Sequence, residues 1–139
     1  SAGQVLQLVE TANSTEKSTT STTPVTTGIS ASITPKFSNS KIKVTVNITG
    51  IYSIMMASYF SVYRNGTNLA PGGGTNFMAD LYCNVANVLS SQTIIYIDSP
   101  ASTSTQTYTL YFWASSGTCY TNLYGTNGYT TIVLEEIAG

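Results

Sequence analysis

From residue 41 to residue 49 the chain alternates strictly: Ile42, Val44, Val46 and Ile48 on one side, Lys41, Lys43, Thr45 and Asn47 on the other. Successive side chains of an extended chain point to opposite faces, so this run is a strand with one buried and one wet face. No stretch sustains the 3.6-residue period of an amphipathic helix. A chain of 139 residues built from strands alone must bury their apolar faces against a second layer of sheet. It is also of single-domain length.

The rest is arranged around residues 91–116, SQTIIYIDSPASTSTQTYTLYFWASS. Two apolar runs, 93–97 and 108–113, flank a polar segment that opens with Asp98-Ser99-Pro100. Gln92, Ile94 and Tyr96 share one pleat face against Thr93, Ile95 and Ile97; Tyr108, Leu110 and Phe112 oppose Thr109, Tyr111 and Trp113. β-Branched and aromatic residues bounded by Ser, Thr and Pro carry the strand signature, and the pair reads as a hairpin. Few polar groups lie on either face. One face therefore belongs to the domain's own core, and the other to a neighbouring subunit with Tyr111 and Trp113 in the interface.

Residues 4–11 form a loose first strand, 13–27 a Ser/Thr-rich loop, and 29–33 a short strand stopped by Pro35. Residues 51–64 are apolar and aromatic, with a bend or bulge at Met55-Met56. They end in Arg64-Asn65-Gly66-Thr67, and Asn-Gly between apolar runs is a strong hairpin-turn signal. Residues 76–89 read as a longer strand after the flexible Pro71-Gly72-Gly73-Gly74 loop. Residues 118–124 and 129–137 read as a pair around Gly125-Thr126-Asn127-Gly128. Eight or nine strands with frequent turns imply an antiparallel β-sandwich or jelly roll over residues 1–139, with 1–3 a linker end or expression scar.

Charged residues are only 8% of the chain and the net charge is −1. Without a cluster of Lys and Arg to neutralise phosphates, nucleic-acid binding is not expected. No run reaches the roughly 18 apolar residues of a membrane helix, so membrane insertion is not expected either. The two cysteines, Cys83 and Cys119, are expected as buried, reduced thiols. With no histidine and few carboxylates, neither a Ser–His or Cys–His pair nor a His-based metal site can be built, and no enzyme activity or cofactor is expected. Glu135 and Glu136 are adjacent in a strand and face opposite sides, so they cannot act as a catalytic pair. Asp98 before Ser99-Pro100 reads as a turn former.

Several segments together carry a resemblance: Gly3-Gln4-Val5-Leu6-Gln7, Ile33-Thr34-Pro35, Ser40-Lys41-Ile42-Lys43-Val44, Tyr63-Arg64-Asn65-Gly66-Thr67, Tyr96-Ile97-Asp98-Ser99-Pro100 and Leu134-Glu135-Glu136-Ile137. With these the chain resembles the C-terminal domain of tail fibres and other appendage proteins of marine and cyanobacterial bacteriophages. The resemblance implies a jelly-roll-like domain, homotrimeric, at the end of a virion appendage and joined to an upstream fibre or virion protein. It carries no catalytic residues. Its partner would be a bacterial surface glycan or protein, or, if the domain is a structural knob or head decoration, none.

Aromatic residues supply the candidate binding groups. Exposed rings stack on sugar C–H bonds while Asn, Asp and Ser hold hydroxyls. Tyr120, Tyr124 and Tyr129 cluster in sequence around Asn122 and Asn127, which makes these five the candidate ligand-binding residues.

Overall fold

Ile42, Val44, Val46 and Ile48 are fully buried at the centre of the molecule, as their alternation demands. Their strand, β4 (Lys41–Ile51), is the fourth of eleven among the described residues of a computed structural model, 1–125 and 128–139. The others are β1 (Val5–Asn13), β2 (Lys17–Thr19), β3 (Val25–Ile33), β5 (Met56–Arg64), β6 (Thr67–Asn68), β7 (Ala79–Cys83), β8 (Ser90–Asp98), β9 (Gln106–Ala114), β10 (Cys119–Thr121) and β11 (Thr130–Ile137). Among the described residues there is no helix.

One sheet has the order β1-β11-β4-β8; the other runs β3-β9-β5, with β6 and β7 both paired to β5. Short β2 and β10 pair with each other. Leaving β2, β6 and β10 aside, the eight main strands stand first-eighth-third-sixth against second-seventh-fourth-fifth, the order of a jelly roll made of two Greek keys. Every pairing is antiparallel. Ile132 and Leu134 join the β4 aliphatics from the first sheet, and Ile29, Ile33, Phe60, Val62, Tyr108, Leu110 and Phe112 meet them from the second.

The 93–97 and 108–113 runs are not a hairpin. β8 pairs with β4 in the first sheet and β9 with β3 and β5 in the second, so the Asp98-Ser99-Pro100 segment crosses between sheets. The two runs are apolar on both faces, and such runs do not specify their pairing partner by pattern alone. β10 pairs with β2, inside the segment read as a loop, while β11 pairs with β1 and β4. Only Ala79–Cys83 of residues 76–89 is strand. The Asn65-Gly66 turn is as expected: both residues take positive φ, 49° and 85°, between β5 and β6. Met55, at φ 53°, marks the expected bend between β4 and β5.

Register places two carboxylates on the inner face at one end of the first sheet. Gln7, Glu136, Ile42 and Asp98 stand in one inward row. Asp98 is no mere turn former. Its Oδ1 and Oδ2 each accept from Arg64 Nη1 at 2.7 Å, and Oδ2 also accepts from the buried Tyr108 hydroxyl at 2.6 Å. Arg64 and Tyr108 sit on the facing sheet, so the triad ties the two layers together. Glu136, fully buried, accepts from Gln7 Nε2 at 2.6 Å and from the Lys36 and Phe37 amides at 2.7 and 3.3 Å. As expected, Glu135 faces the other way, opposite Lys43 and Leu8.

Both thiols are free. Cys119 is buried, and burial pushes its thiol up to about 11 against a weaker lowering by the neighbouring Ser58 hydroxyl. Cys83 is only half-buried, because β7 lies at the sheet edge. In the folded protein Cys119 is expected to resist iodoacetamide and to react once denatured, since the thiolate is the reacting species. Mass spectrometry checks this, and labelling of native Cys119 at the rate of an unfolded thiol would contradict it.

Candidate functional site

The two ends of the sandwich differ in chemistry. At one end the N- and C-terminal segments lie side by side, with the Gly3 amide donating to Ala138 O and the Ala138 amide to Gln4 O, both at 2.8 Å. The Arg64–Asp98–Tyr108 and Glu136 clusters close the same end. The opposite end gathers the 14–16, 52–55 and 84–89 connections and residues 122–125 and 128–129. A strand of nine residues such as β8 separates the two ends by roughly 30 Å.

At this far end Asn122 is a fastener. It is 4% exposed and at φ 51°, a left-handed conformation asparagine tolerates better than most residues. Its Nδ2 donates to Asn13 O and Thr15 O, both at 3.0 Å, and its Oδ1 accepts from Thr130 Oγ1 at 2.7 Å and Thr49 Oγ1 at 3.3 Å. One side chain thus joins the ends of β1, β4 and β11. Main-chain bonds add to it: the Asn122 amide donates to Thr49 O and the Leu123 amide to Gly50 O. Gly50, at φ 60°, allows this approach, because a Cβ there would lie 2.7 Å from Leu123 N.

Beside this knot lies a cleft of about 380 Å³ lined by Thr49, Gly50, Leu89, Ser90, Ser91, Asn122, Leu123, Tyr124, Gly125 and Gly128. Tyr124 fronts it, 69% exposed, with its amide held by Glu16 Oε1 at 3.0 Å. None of these lining residues is charged. They offer hydroxyls, main-chain polar groups, aliphatic surface and one phenol ring, a combination suited to a neutral polyhydroxylated ligand. A second hollow of about 330 Å³ lies between Tyr52, Ile54, Met56, Gly117, Thr118 and Tyr120. There Tyr120 meets Tyr52 edge-on, with ring centroids 5.9 Å apart.

The five candidate residues therefore separate. Tyr124 stands open at the first cleft; Asn122 also lines it, but its amide is already engaged within the fold. Tyr120 faces the second hollow, and Tyr129 is exposed outside the lining of both. Asn127 lies outside the described residues. Sequence reasoning missed Thr49, Gly50 and the 89–91 segment. The end of the strict alternation at Thr49-Gly50 was the one available signal.

The two candidate interface residues differ in the surface they keep. Trp113 is 3% exposed within a single chain, packed against Tyr59, whose other neighbour is Phe77. Asn68 Nδ2 donates to Gly74 O and Asn76 O, which pins the glycine-rich loop and brings Phe77 onto Tyr59. Tyr111 is half-buried and stacked on Tyr63 at 3.7 Å. The outer aromatics of this sheet are covered by one another, so Trp113 offers a partner almost no surface.

Among the described residues no group of three or more His, Cys, Asp or Glu could hold a metal ion. Nor, among the described residues, is any helix long and apolar enough to cross a membrane. The chain matches no protein-family model and no curated protein.

Proposed function

We propose that this chain is a virion-appendage domain, of the kind carried at a bacteriophage tail-fibre tip. In this reading it recognises a neutral glycan on the bacterial surface and works as a homotrimer. The observation that carries the reading is the uncharged cleft fronted by exposed Tyr124, at the end of the sandwich remote from both chain termini. A domain joined to a fibre near its termini would present that end outward. The resemblance described above supplies the viral setting and the number three. A purely structural knob or head-decoration protein would need neither the cleft nor an open tyrosine beside it.

The test is a Tyr124→Ala variant, measured for binding of the fluorescent domain to host cells and to immobilised neutral bacterial polysaccharide. Losing the stacked ring is expected to weaken binding at least about tenfold, or roughly 1.4 kcal/mol. Because the side chain is exposed, the melting temperature is expected to stay nearly unchanged. Equal binding by the variant would remove the cleft from consideration and favour the structural knob.

A further inference from the structure

Exposed strand edges carry unpaired N–H and C=O groups, and proteins protect them with charges, prolines, bulges or short length. β1 has Glu10 and a bulge between Val5 and Gln7, and it packs against β3. β3 has a bulge between Thr26 and Ser30. β7 is five residues long and carries exposed Asp80. β8 has only an irregularity at its start, where Gln92 and Ser90 pair with Ile48 and Ile51. It runs nine residues without proline, its register with β4 is regular from Gln92 to Asp98, and its one charge, Asp98, turns into the core.

The surface at this edge is apolar. Ile95 and Ile97 are 63% and 48% exposed on the outer side of β8, and Val85, Val88 and Leu89 are exposed in the loop that leads into it. On the facing edge strand β7, Leu81 and Cys83 are half-buried on the inner side, and exposed Tyr82 lies on the outer face of the other sheet. We propose that β8, with the 84–89 loop above it, is the surface through which this chain binds a second copy of itself.

Charge and area both favour that occupant. When copies of one chain meet through related surfaces, any single-sign charge there meets its like; from residue 81 to residue 97 there is no charged residue, and Lys43, which stands opposite Ile97, has Glu135 as its other cross-strand neighbour. Interfaces between permanent homo-oligomer partners are also the most apolar. At roughly 200 Å² per large side chain, half-exposed Val85, Val88, Leu89, Ile95 and Ile97 offer about 500 Å². Their exposed main chain adds to this, toward the roughly 800 Å² that each partner gives to a standard interface. This deepens the oligomeric part of the proposed function and moves its interface away from Trp113. It also brings the second copy beside the cleft, since Leu89, Ser90 and Ser91 line that cleft.

Light scattering on the purified chain at micromolar concentration tests this. The wild type is expected at two or more times the 14.8 kDa monomer mass. Ile95→Lys combined with Leu89→Lys, both at exposed positions, is expected to give 14.8 kDa with an unchanged far-UV spectrum. Leu8→Lys, 59% exposed on β1, is expected to leave the oligomer intact. Iodoacetamide should label Cys83 slowly in the oligomer and quickly in the double variant. A wild-type mass of 14.8 kDa overturns the proposal, as does an oligomer that survives the double variant. Dissociation by Leu8→Lys alone also overturns it. Host-cell binding through Tyr124 is read separately, so failure here leaves the glycan reading to its own test.

Discussion

Replacing Arg64 by methionine is expected to cost the fold about 3–4 kcal/mol, more than replacing Asp98 by alanine. Breaking a buried pair is expensive chiefly because it leaves the surviving charge unpaired. The survivors differ here. The Asp98 side chain is 6% exposed and that of Arg64 26%. Without Asp98 the guanidinium can turn toward water, and the main loss is the partner of the buried Tyr108 hydroxyl. Without Arg64 the carboxylate stays between the sheets with that hydroxyl alone. Burial, then the bond to Asp98, pushes the Tyr108 phenol well above its ordinary value, so it remains a proton donor throughout the neutral range. Replacing both partners, with Arg64→Met and Asp98→Leu, is expected to recover most of the loss. Urea unfolding at neutral pH measures all three variants. An Asp98→Ala cost above that of Arg64→Met would contradict the argument, and so would strictly additive effects of the two substitutions.

What was legible in the sequence follows from how local each signal is. The β4 alternation and the Asn65-Gly66 turn depend on neighbours in sequence, and both are found as read. Pairing is not local. Ile94 and Leu110 are equally suited to a hairpin or to facing sheets, and the choice between them is made by the core that both fill. β10 is three residues long, too short to show a period, and its partner Lys17–Thr19 looks polar because the pair lies at the end of the sandwich. The role of Asp98 depends on Arg64 and Tyr108, which approach only after the crossover brings the sheets together. At the cleft, Tyr124 was legible as an aromatic in a turn-rich segment. That Asn122 would serve the fold depends, besides nearby Thr130, on Thr49 and Asn13, which are 73 and 109 residues away.

Glu136 was half legible. Its parity with Ile132 and Leu134 places it inward, but its donors come from the 36–40 loop and from Gln7. Burial alone would raise this carboxyl. The Gln7 amide, the Ser40 hydroxyl and the Lys36 and Phe37 amides outweigh that and hold it below its ordinary value of 4.5. A carboxyl depressed in the folded state contributes stability above its unfolded pKa and loses it as pH falls through the lower folded value. Wild-type stability is therefore expected to be level down to about pH 5 and to decline below 4.5. Glu136→Ala leaves several buried donors unanswered and is expected to cost about 3 kcal/mol at neutral pH. Glu136→Gln keeps the shape but turns an NH₂ toward those donors, and is expected to cost roughly half as much. The distinguishing result lies in the pH series. The gap between wild type and Glu136→Gln should narrow steadily as the wild-type carboxyl takes up its proton. Urea midpoints from pH 7 down to pH 3 measure it. A gap that stays constant across that range would show that the Glu136 charge contributes nothing, leaving only its shape and its bonds to hold this end of the sandwich closed.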